Sequence, residues 1–284
     1  MTTTVSFPGI GILPFNLNRL AFEMGSIKVY WYGIIICLGI LLGFLTAYIR
    51  MKKIGVTSDD LSDIALICVP SAIVGARLYY VLAEIESYKT LYDVIAVWNG
   101  GLAIYGGVIA GVISFTVVCK YKKKPLFKMY DCAAPGLILG QIIGRWGNFF
   151  NAEAYGISES YDFLGAKFDI SHFSSVNPLR MTIDGMTVHP TFLYESLWNF
   201  IGFVLMNIFF KKKAFDGEVL LWYLTWYGLG RCLIEGLRGD SLYLGSIRVS
   251  QLIAFLCFVL GLFAITVLRI KTYKERKIEN GNNN

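Results

Sequence analysis

Four arginines lie inside apolar stretches or at their ends, and they are the residues most able to do chemistry: Arg77, Arg145, Arg231 and Arg238. A guanidinium in hydrocarbon costs kilocalories unless it is paired or hydrated, so such residues are candidates for a functional site. Arginine also suits bidentate recognition of phosphate. These residues therefore indicate anion binding. The alternative is that each arginine anchors a helix end by extending its charge toward water.

The segment GRWGNFFNAEAYG, which begins at Gly144, has the highest density of polar side chains among these stretches. It carries Arg145, Asn148, Asn151 and Glu153. Gln141, Arg145 and Asn148 follow the spacing i, i+4 and i+7, which places them on one face of a helix. Arg231, Glu235 and Arg238 have the same spacing and share one face of another helix. The two faces can meet across an interior cavity. We expect Glu235 to pair with one arginine and fix its orientation.

The elements that position these residues follow from the composition. The chain has 284 residues, of which 55% are hydrophobic and 16% charged. Because a helix needs about 20 apolar residues to cross the hydrocarbon core, the sequence predicts an all-α polytopic membrane protein with about seven transmembrane helices. The predicted spans are 29–49, 61–83, 98–119, 131–151, 191–210, 217–237 and 247–268. Residues 1–270 are expected to form a single integral-membrane domain, followed by a disordered cytoplasmic tail at 271–284.

Basic residues predict the orientation. Sixteen of the 26 follow spans one, three, five and seven. The positive-inside rule then gives an N-terminus outside and a C-terminus in the cytoplasm, with one larger extracytoplasmic loop at 152–190. Residues 1–28 lack the features of a cleavable signal peptide and can lie along the outer interface. The lysine runs serve as topology signals, so the net charge of +6 does not predict nucleic-acid binding.

This orientation puts notable polar groups at the outer ends of six spans, including Tyr32, Arg77, Tyr80, Tyr105, Arg145, Tyr194, Glu195 and Arg231. One polar chamber that opens outward accounts for this common depth. The anion already present there is a phospholipid headgroup. Two other classes remain open. A transporter for an organic anion predicts polar groups at both depths, and a non-catalytic lipid-binding factor would tolerate loss of Asn148 or Arg231.

Small residues have two interpretations as well. The stretch from Gly100 to Gly111 includes Gly106 and Gly107, which either let two helices approach closely or bring backbone close to a ligand. The six cysteines form no CxxC pair, so we interpret them as small buried apolar residues. The sequence offers no metal constellation, and no metal or organic cofactor is expected.

The motif GRWGNFFNAE resembles the signature of the prolipoprotein diacylglyceryl transferase family. Further segments of the chain match in the same order, from about residue 30 to 240: VYWYG at 29–33, GARLYYV at 75–81, HPTFLYE at 189–195 and GRCLIEGLR at 230–238. The resemblance implies a bacterial inner-membrane enzyme whose site faces the outer leaflet. Such enzymes move the diacylglyceryl group of phosphatidylglycerol to the lipobox cysteine thiol of a prolipoprotein signal peptide, and they release glycerol 1-phosphate.

The resemblance also implies residue roles. Arg145 and Arg231 match the key arginines of the family and would hold phosphate, while Glu153 and Glu235 match positions that pair with them. Asn148 and Asn151 would hydrogen-bond the headgroup or orient the arginines. The auxiliary positions bind phosphate or lipid or brace the chamber: Arg77, Arg238, Tyr32, Tyr80, Gly106 and Gly107. For the two tyrosines, an interfacial aromatic belt is the alternative.

One position departs from the family. Many members carry histidine before the second glycine pair of the glycine-rich stretch, where it is a candidate base, and this chain has Tyr105. A phenol with a pKa near 10 is a poor base at pH 7. We therefore expect Tyr105 to donate a hydrogen bond, and we do not expect a histidine base to be essential.

Overall fold

Long helices dominate the computed structural model, which describes residues 2–25, 27–88 and 90–282. The helices in these ranges are α1 (Trp31–Lys53), α2 (Ser58–Ala83), α3 (Leu91–Ile95), α4 (Ile104–Tyr121), α5 (Leu126–Asn151), α6 (Ser171–Val176), α7 (Thr191–Phe209), α8 (Glu218–Glu235) and α9 (Val249–Asn282). Each predicted span has a helical counterpart. The predicted span 98–119 begins later than expected, because Gly100 and Gly101 have positive φ and the helix starts only at Ile104.

Within the part of the chain that the structure describes, five helices are long and apolar enough to cross a membrane: α1, α2, α4, α7 and α9. The chain is thus a mostly helical, multi-pass membrane protein. Helices α5 and α8 are absent from this group, and both carry charged residues along their length, including Asp131 and Arg145 on α5 and Glu218 and Arg231 on α8.

Helix α9 runs on to Asn282, whereas the sequence analysis expected a disordered tail from residue 271. The extension contains no proline, and its glycine, Gly281, comes only at the end. Lys271 and Glu275 are four residues apart and their charged atoms are separated by 3.9 Å, a spacing that supports an exposed helix. Local helix propensity therefore continues the last span into a helical extension.

Short strands, which the sequence analysis did not predict, occupy most of the rest. They are β1 (Thr2–Phe7), β2 (Ile12–Asn18), β3 (Leu20–Met24), β4 (Ile27–Tyr30), β5 (Ser160–Phe163), β6 (Ala166–Asp169), β7 (Met181–Ile183), β8 (Met186–Val188), β9 (Tyr243–Leu244) and β10 (Ile247–Arg248). An antiparallel sheet has the order β2-β1-β7-β8, with Val5 paired to Ile183. The remaining strands form three hairpins, β3–β4, β5–β6 and β9–β10.

The chain divides into two compact units: Met1–Ala47 with Tyr130–Asn284, and Tyr48–Met129. The second unit is built on α2 and α4. A Cβ at Gly106 would lie 2.2 Å from the carbonyl oxygen of Gly75, and one at Gly107 would lie 3.3 Å from that of Ala72. The backbones of the two helices are therefore almost in contact. This geometry supports the packing interpretation of both glycines in the Gly100–Gly111 stretch.

The first unit packs its sheet on the ends of its helices. Val5, Ile183 and Val188 from the sheet are buried against Phe192, with Phe149 at the edge of the cluster. Burial of apolar surface drives this contact. The sheet therefore covers the end of α5 and the beginning of α7, and these are the helix ends that carry the polar residues of the candidate site.

Candidate functional site

Glu195 on α7 is the centre of an ionic cluster in the first unit. Its Oε1 lies 2.7 Å from Nη2 of Arg145 on α5, and its Oε2 accepts a hydrogen bond of 3.0 Å from Nη1 of Arg231 on α8. The carboxylate is only 2% exposed, whereas the two arginine side chains are 18% and 14% exposed. An anion that approaches the cluster therefore meets the guanidiniums before the carboxylate.

Direct contacts hold the three helices together at this level. Trp146 Nε1 donates to Ser196 Oγ, and Ser196 Oγ donates to the carbonyl of Ile142, so α5 is tied to α7. Trp198 and Trp226 stack with centroids 4.5 Å apart, and each indole donates to the other residue's carbonyl at 2.9 Å, which ties α7 to α8. The positions of Arg145, Glu195 and Arg231 are consequently fixed by helix packing.

A second carboxylate extends the cluster along α8. Glu235 Oε2 lies 2.6 Å from Nη2 of Arg231 and 3.9 Å from Nε of Arg238. The prediction that Glu235 pairs with an arginine is confirmed. Arg238 also donates two hydrogen bonds to Asp240. Burial alone would raise the pKa of Asp240, but these bonds and the Arg238 charge hold its pKa below the ordinary value.

Arg248 was not among the predicted site residues, and its side chain stabilises the turn that follows α8. It is buried, and its Nη1 donates to the carbonyls of Glu235 and Arg238 and to Ser241 Oγ. Ser241 in turn donates to Glu235 Oε1 at 2.7 Å. Arg248 thus holds the turn that positions Glu235. The available sequence signal for this role was an arginine placed directly before the last apolar run.

The end of α5 carries the amide part of the site. The helix ends at Asn151, because Ala152 has a φ of 48° and its N–H turns back to the carbonyl of Phe149. Arg145 donates to Asn148 Oδ1, while Asn148 and Asn151 both donate to Glu153 Oε1, each at 3.2 Å. The carboxamides therefore link the exposed Glu153 to Arg145. Nearby, the ring of Tyr32 packs over Gly147, where a Cβ would lie 2.9 Å from Tyr32 Cδ2.

The second unit contains the other candidate residues and is described by itself. Arg77 is buried and donates to four carbonyls, those of Asp93, Val94, Gly100 and Gly101, at 2.6 to 2.9 Å. This supports its interpretation as a brace. The ring of Tyr80 packs against Gly101. Tyr105 is the second residue of α4, and its ring centroid lies 6.4 Å from that of Tyr79.

His189 lies in the loop that leads into α7. Its Nε2 is 2.8 Å from Ser174 Oγ, its Nδ1 is 3.2 Å from the hydroxyl of Tyr194, and its N–H and C=O both pair with Gly156. Burial lowers the pKa of His189, since charging the ring would cost solvation. These contacts give His189 a positioning role at the base of the extramembrane segment.

The fold and the cluster define a helical membrane protein in which two arginines share a buried carboxylate at one level of α5, α7 and α8. The family model described as prolipoprotein diacylglyceryl transferase matches residues 19–267. The chain therefore belongs to the prolipoprotein diacylglyceryl transferase family.

Similar proteins carry a consistent description. The chain is 46% identical over 250 residues to a phosphatidylglycerol–prolipoprotein diacylglyceryl transferase of Clostridium botulinum, covering 88% of this chain and 96% of the relative. It is 45% identical over 252 residues to one of Streptococcus equi subsp. zooepidemicus, covering 88% and 94%. A Clostridium perfringens protein with the same description is 44% identical over 263 residues, covering 92% and 98%.

Proposed function

We propose that the cluster around Glu195 is the site at which this transferase moves the diacylglyceryl group of phosphatidylglycerol to the lipobox cysteine of prolipoproteins. One observation carries the proposal. Two guanidiniums from distant parts of the chain share a single buried carboxylate and keep their own edges more exposed than it is. Two arginines fixed in this way form a fork suited to a phosphate.

The chemistry requires stabilisation of negative charge. The cysteine thiol releases its proton to water, and the sulfur attacks the glycerol carbon that bears the phosphate. A C–S bond forms as the C–O bond breaks, and the electron pair leaves on the phosphate oxygen as glycerol 1-phosphate. The phosphate changes from a diester with one negative charge to a monoester with nearly two. Arg145 and Arg231 would favour this change because preorganised cations stabilise the charge that develops.

The remaining residues would support the two arginines. Glu195 and Glu235 orient them, Asn148 and Asn151 connect Arg145 to Glu153, and Arg238 is neutralised by Asp240. Tyr32, Tyr80, Tyr105 and Arg77 would contact lipid or brace the helices. A free thiol has a pKa of about 8.5, so nearby guanidiniums would also favour the thiolate of the incoming cysteine.

The site is proposed to face the outer side of the bacterial cell membrane. In this topology α5 and α8 also cross the membrane, with Arg145 and Arg231 in the cluster and Asp131 and Glu218 paired at the opposite end with Lys213 and Arg269, which gives seven spans with the N-terminus outside. Basic residues in the last turn of α1, at and after the end of α4, after α7 and in α9 support it. A cysteine introduced at exposed Ser175 should react with a membrane-impermeant maleimide in intact cells. Reaction only after lysis would contradict the topology.

The function is tested by transfer from phosphatidylglycerol to a lipobox peptide, with a cysteine-to-serine peptide as the blank. Arg145→Lys and Arg231→Lys keep the charge but lose the planar fork. We expect each to lower the transfer rate by about 100-fold, the usual loss when one charge-stabilising donor is removed. Arg276→Lys on the exposed end of α9 is the matched control. Wild-type rates in both site variants would refute the phosphate clamp.

A further inference from the structure

An apolar groove lies at the opposite end of α7, α8 and α9 from the ionic cluster. Its volume is about 220 Å³, and its walls include Leu205, Met206, Phe209, Val219, Trp222 and Trp226. Small-molecule sites commonly measure about 300–1,000 Å³, so the groove admits a slender chain more readily than a compact ligand. It is called the basal groove below.

The basal groove is separate from the proposed transfer site. Along α7, Phe209 at the far end of the groove is fourteen positions after Glu195. At 1.5 Å per residue this is about 21 Å, most of the thickness of a bilayer's hydrocarbon core. The groove therefore extends away from the cluster toward the opposite membrane surface, and its inner wall at Trp226 reaches the tryptophan stack that ties α7 to α8.

Basic side chains lie at one end of the groove, next to the aromatic residues of its walls. The Lys212 ammonium lies 5.5 Å from the ring centroid of Phe209, and the Arg269 guanidinium lies 5.9 Å from that of Trp222. Arg269 directs Nε to the fully buried Glu218. Its Nη1 has no partner among the residues that the structure describes. The guanidinium is thus held in place with one edge available.

The charges at this end do not cancel. Five cations meet three carboxylates: Lys211, Lys212, Lys213, Arg269 and Arg276 against Asp131, Asp216 and Glu218. The excess is two positive charges. Asp131 and Glu218 are fully buried, where they fix Lys213 and Arg269, while Lys211 and Lys212 are exposed. An anion at the membrane surface would meet a positive rim beside an apolar slot.

We propose that the basal groove binds an anionic phospholipid that is not a substrate. One acyl chain occupies the slot between Leu205 and Trp222, and the phosphate lies at the rim beside Lys212 and Arg269. Basic residues near a membrane surface each favour anionic lipid by about 1 kcal/mol, which corresponds to about a fivefold preference. The excess of two cations therefore selects anionic over zwitterionic lipid.

Native mass spectrometry of the purified full chain with equimolar dioleoyl phosphatidylserine and dioleoyl phosphatidylcholine, neither of which is the proposed substrate, tests the proposal. The wild type should retain phosphatidylserine with at least about a fivefold preference. Leu205→Trp fills the slot and should lose one bound lipid at an unchanged transfer rate. Leu197→Trp, at a more exposed position on the same helix, should keep that lipid.

A second variant tests the charge without leaving a buried carboxylate unpaired. Lys211→Gln/Lys212→Gln removes the excess and should lower the preference for phosphatidylserine about fivefold or more. Equal retention by Leu205→Trp and the wild type would overturn the proposal, as would equal retention of the two lipids by the wild type. A fall in transfer for Leu205→Trp would show that the groove serves the reaction and is not a separate site.

Discussion

Replacement of Glu195 by glutamine tests the ionic cluster most directly. Glutamine keeps the volume of the side chain and removes its charge, so Arg145 and Arg231 lose the carboxylate that both contact at 2.7 and 3.0 Å. The two guanidiniums are then left close together in a buried place with a neutral amide between them. We expect a large loss of stability.

The magnitude follows from the burial and the distances. One ion pair at 4 Å gains about 4 kcal/mol at an effective dielectric constant of 20. Desolvation offsets most of that gain in the intact pair, but removal of one partner of a buried pair costs about 3–5 kcal/mol. Since Glu195 serves two arginines, the upper end of this range applies. With about 2–4 °C per kcal/mol for a chain of this size, the melting temperature should fall by roughly 10–20 °C.

Thermal unfolding in one detergent measures this loss. Glu23→Gln is the matched control, because Glu23 is half exposed and its 3.6 Å pair with Lys28 should contribute less than about 1 kcal/mol. Arg145→Gln/Glu195→Gln removes one charge of each sign and should recover part of the stability, as coupled residues do in a double-mutant cycle. The reasoning is refuted if Glu195→Gln melts with the control or if the double variant is no more stable than Glu195→Gln.

Three further predictions concern other parts of the chain. Tyr105→Phe should lower the transfer rate less than about tenfold, since removal of one neutral hydrogen bond costs about 1 kcal/mol; abolished turnover with lipid binding intact would contradict a supporting role. Gly106→Ala should cost about 1–3 kcal/mol in thermal unfolding because its Cβ would overlap the Gly75 carbonyl, whereas Gly111→Ala, whose Cβ would meet its nearest atom at 3.9 Å, should be tolerated. Burial lowers the pKa of His189 in the fold, so the unfolded chain binds more protons below about pH 6.5. Thermal stability should therefore fall from pH 7.5 to 5.5, and the fall should be smaller in His189→Asn; an equal fall in this variant would contradict the prediction.

The helices were predictable because their apolar runs are long, and Arg145, Arg231 and Glu235 were predictable because charges in such runs stand out. The central place of Glu195 was not. It is the single charged residue in the stretch 191–210, which was the available signal. Its partners come from segments 50 residues before it and 36 after it, and that juxtaposition arises only when α5, α7 and α8 pack.

The strands were missed for a different reason. The hairpin β7–β8 turns at Asp184-Gly185, both with positive φ, and Asp-Gly between alternating residues is a strong hairpin signal. The strands on either side are only three residues long, however, and β1, which pairs with β7, lies more than 170 residues earlier. Short strands with remote partners carry little local pattern, so hydropathy alone did not show them.

The carboxylate shared by α5, α7 and α8 also bears on how the chain is assembled in the membrane. If α7 inserted in the reverse orientation, Glu195 would lie at the far membrane surface and Arg145 and Arg231 would remain together without it. Such a chain would carry unpaired cations among its helices, at a cost of several kilocalories. In the proposed seven-span topology, the correct insertion of α5, α7 and α8 would therefore be mutually dependent, because a misoriented chain would keep these cations unpaired.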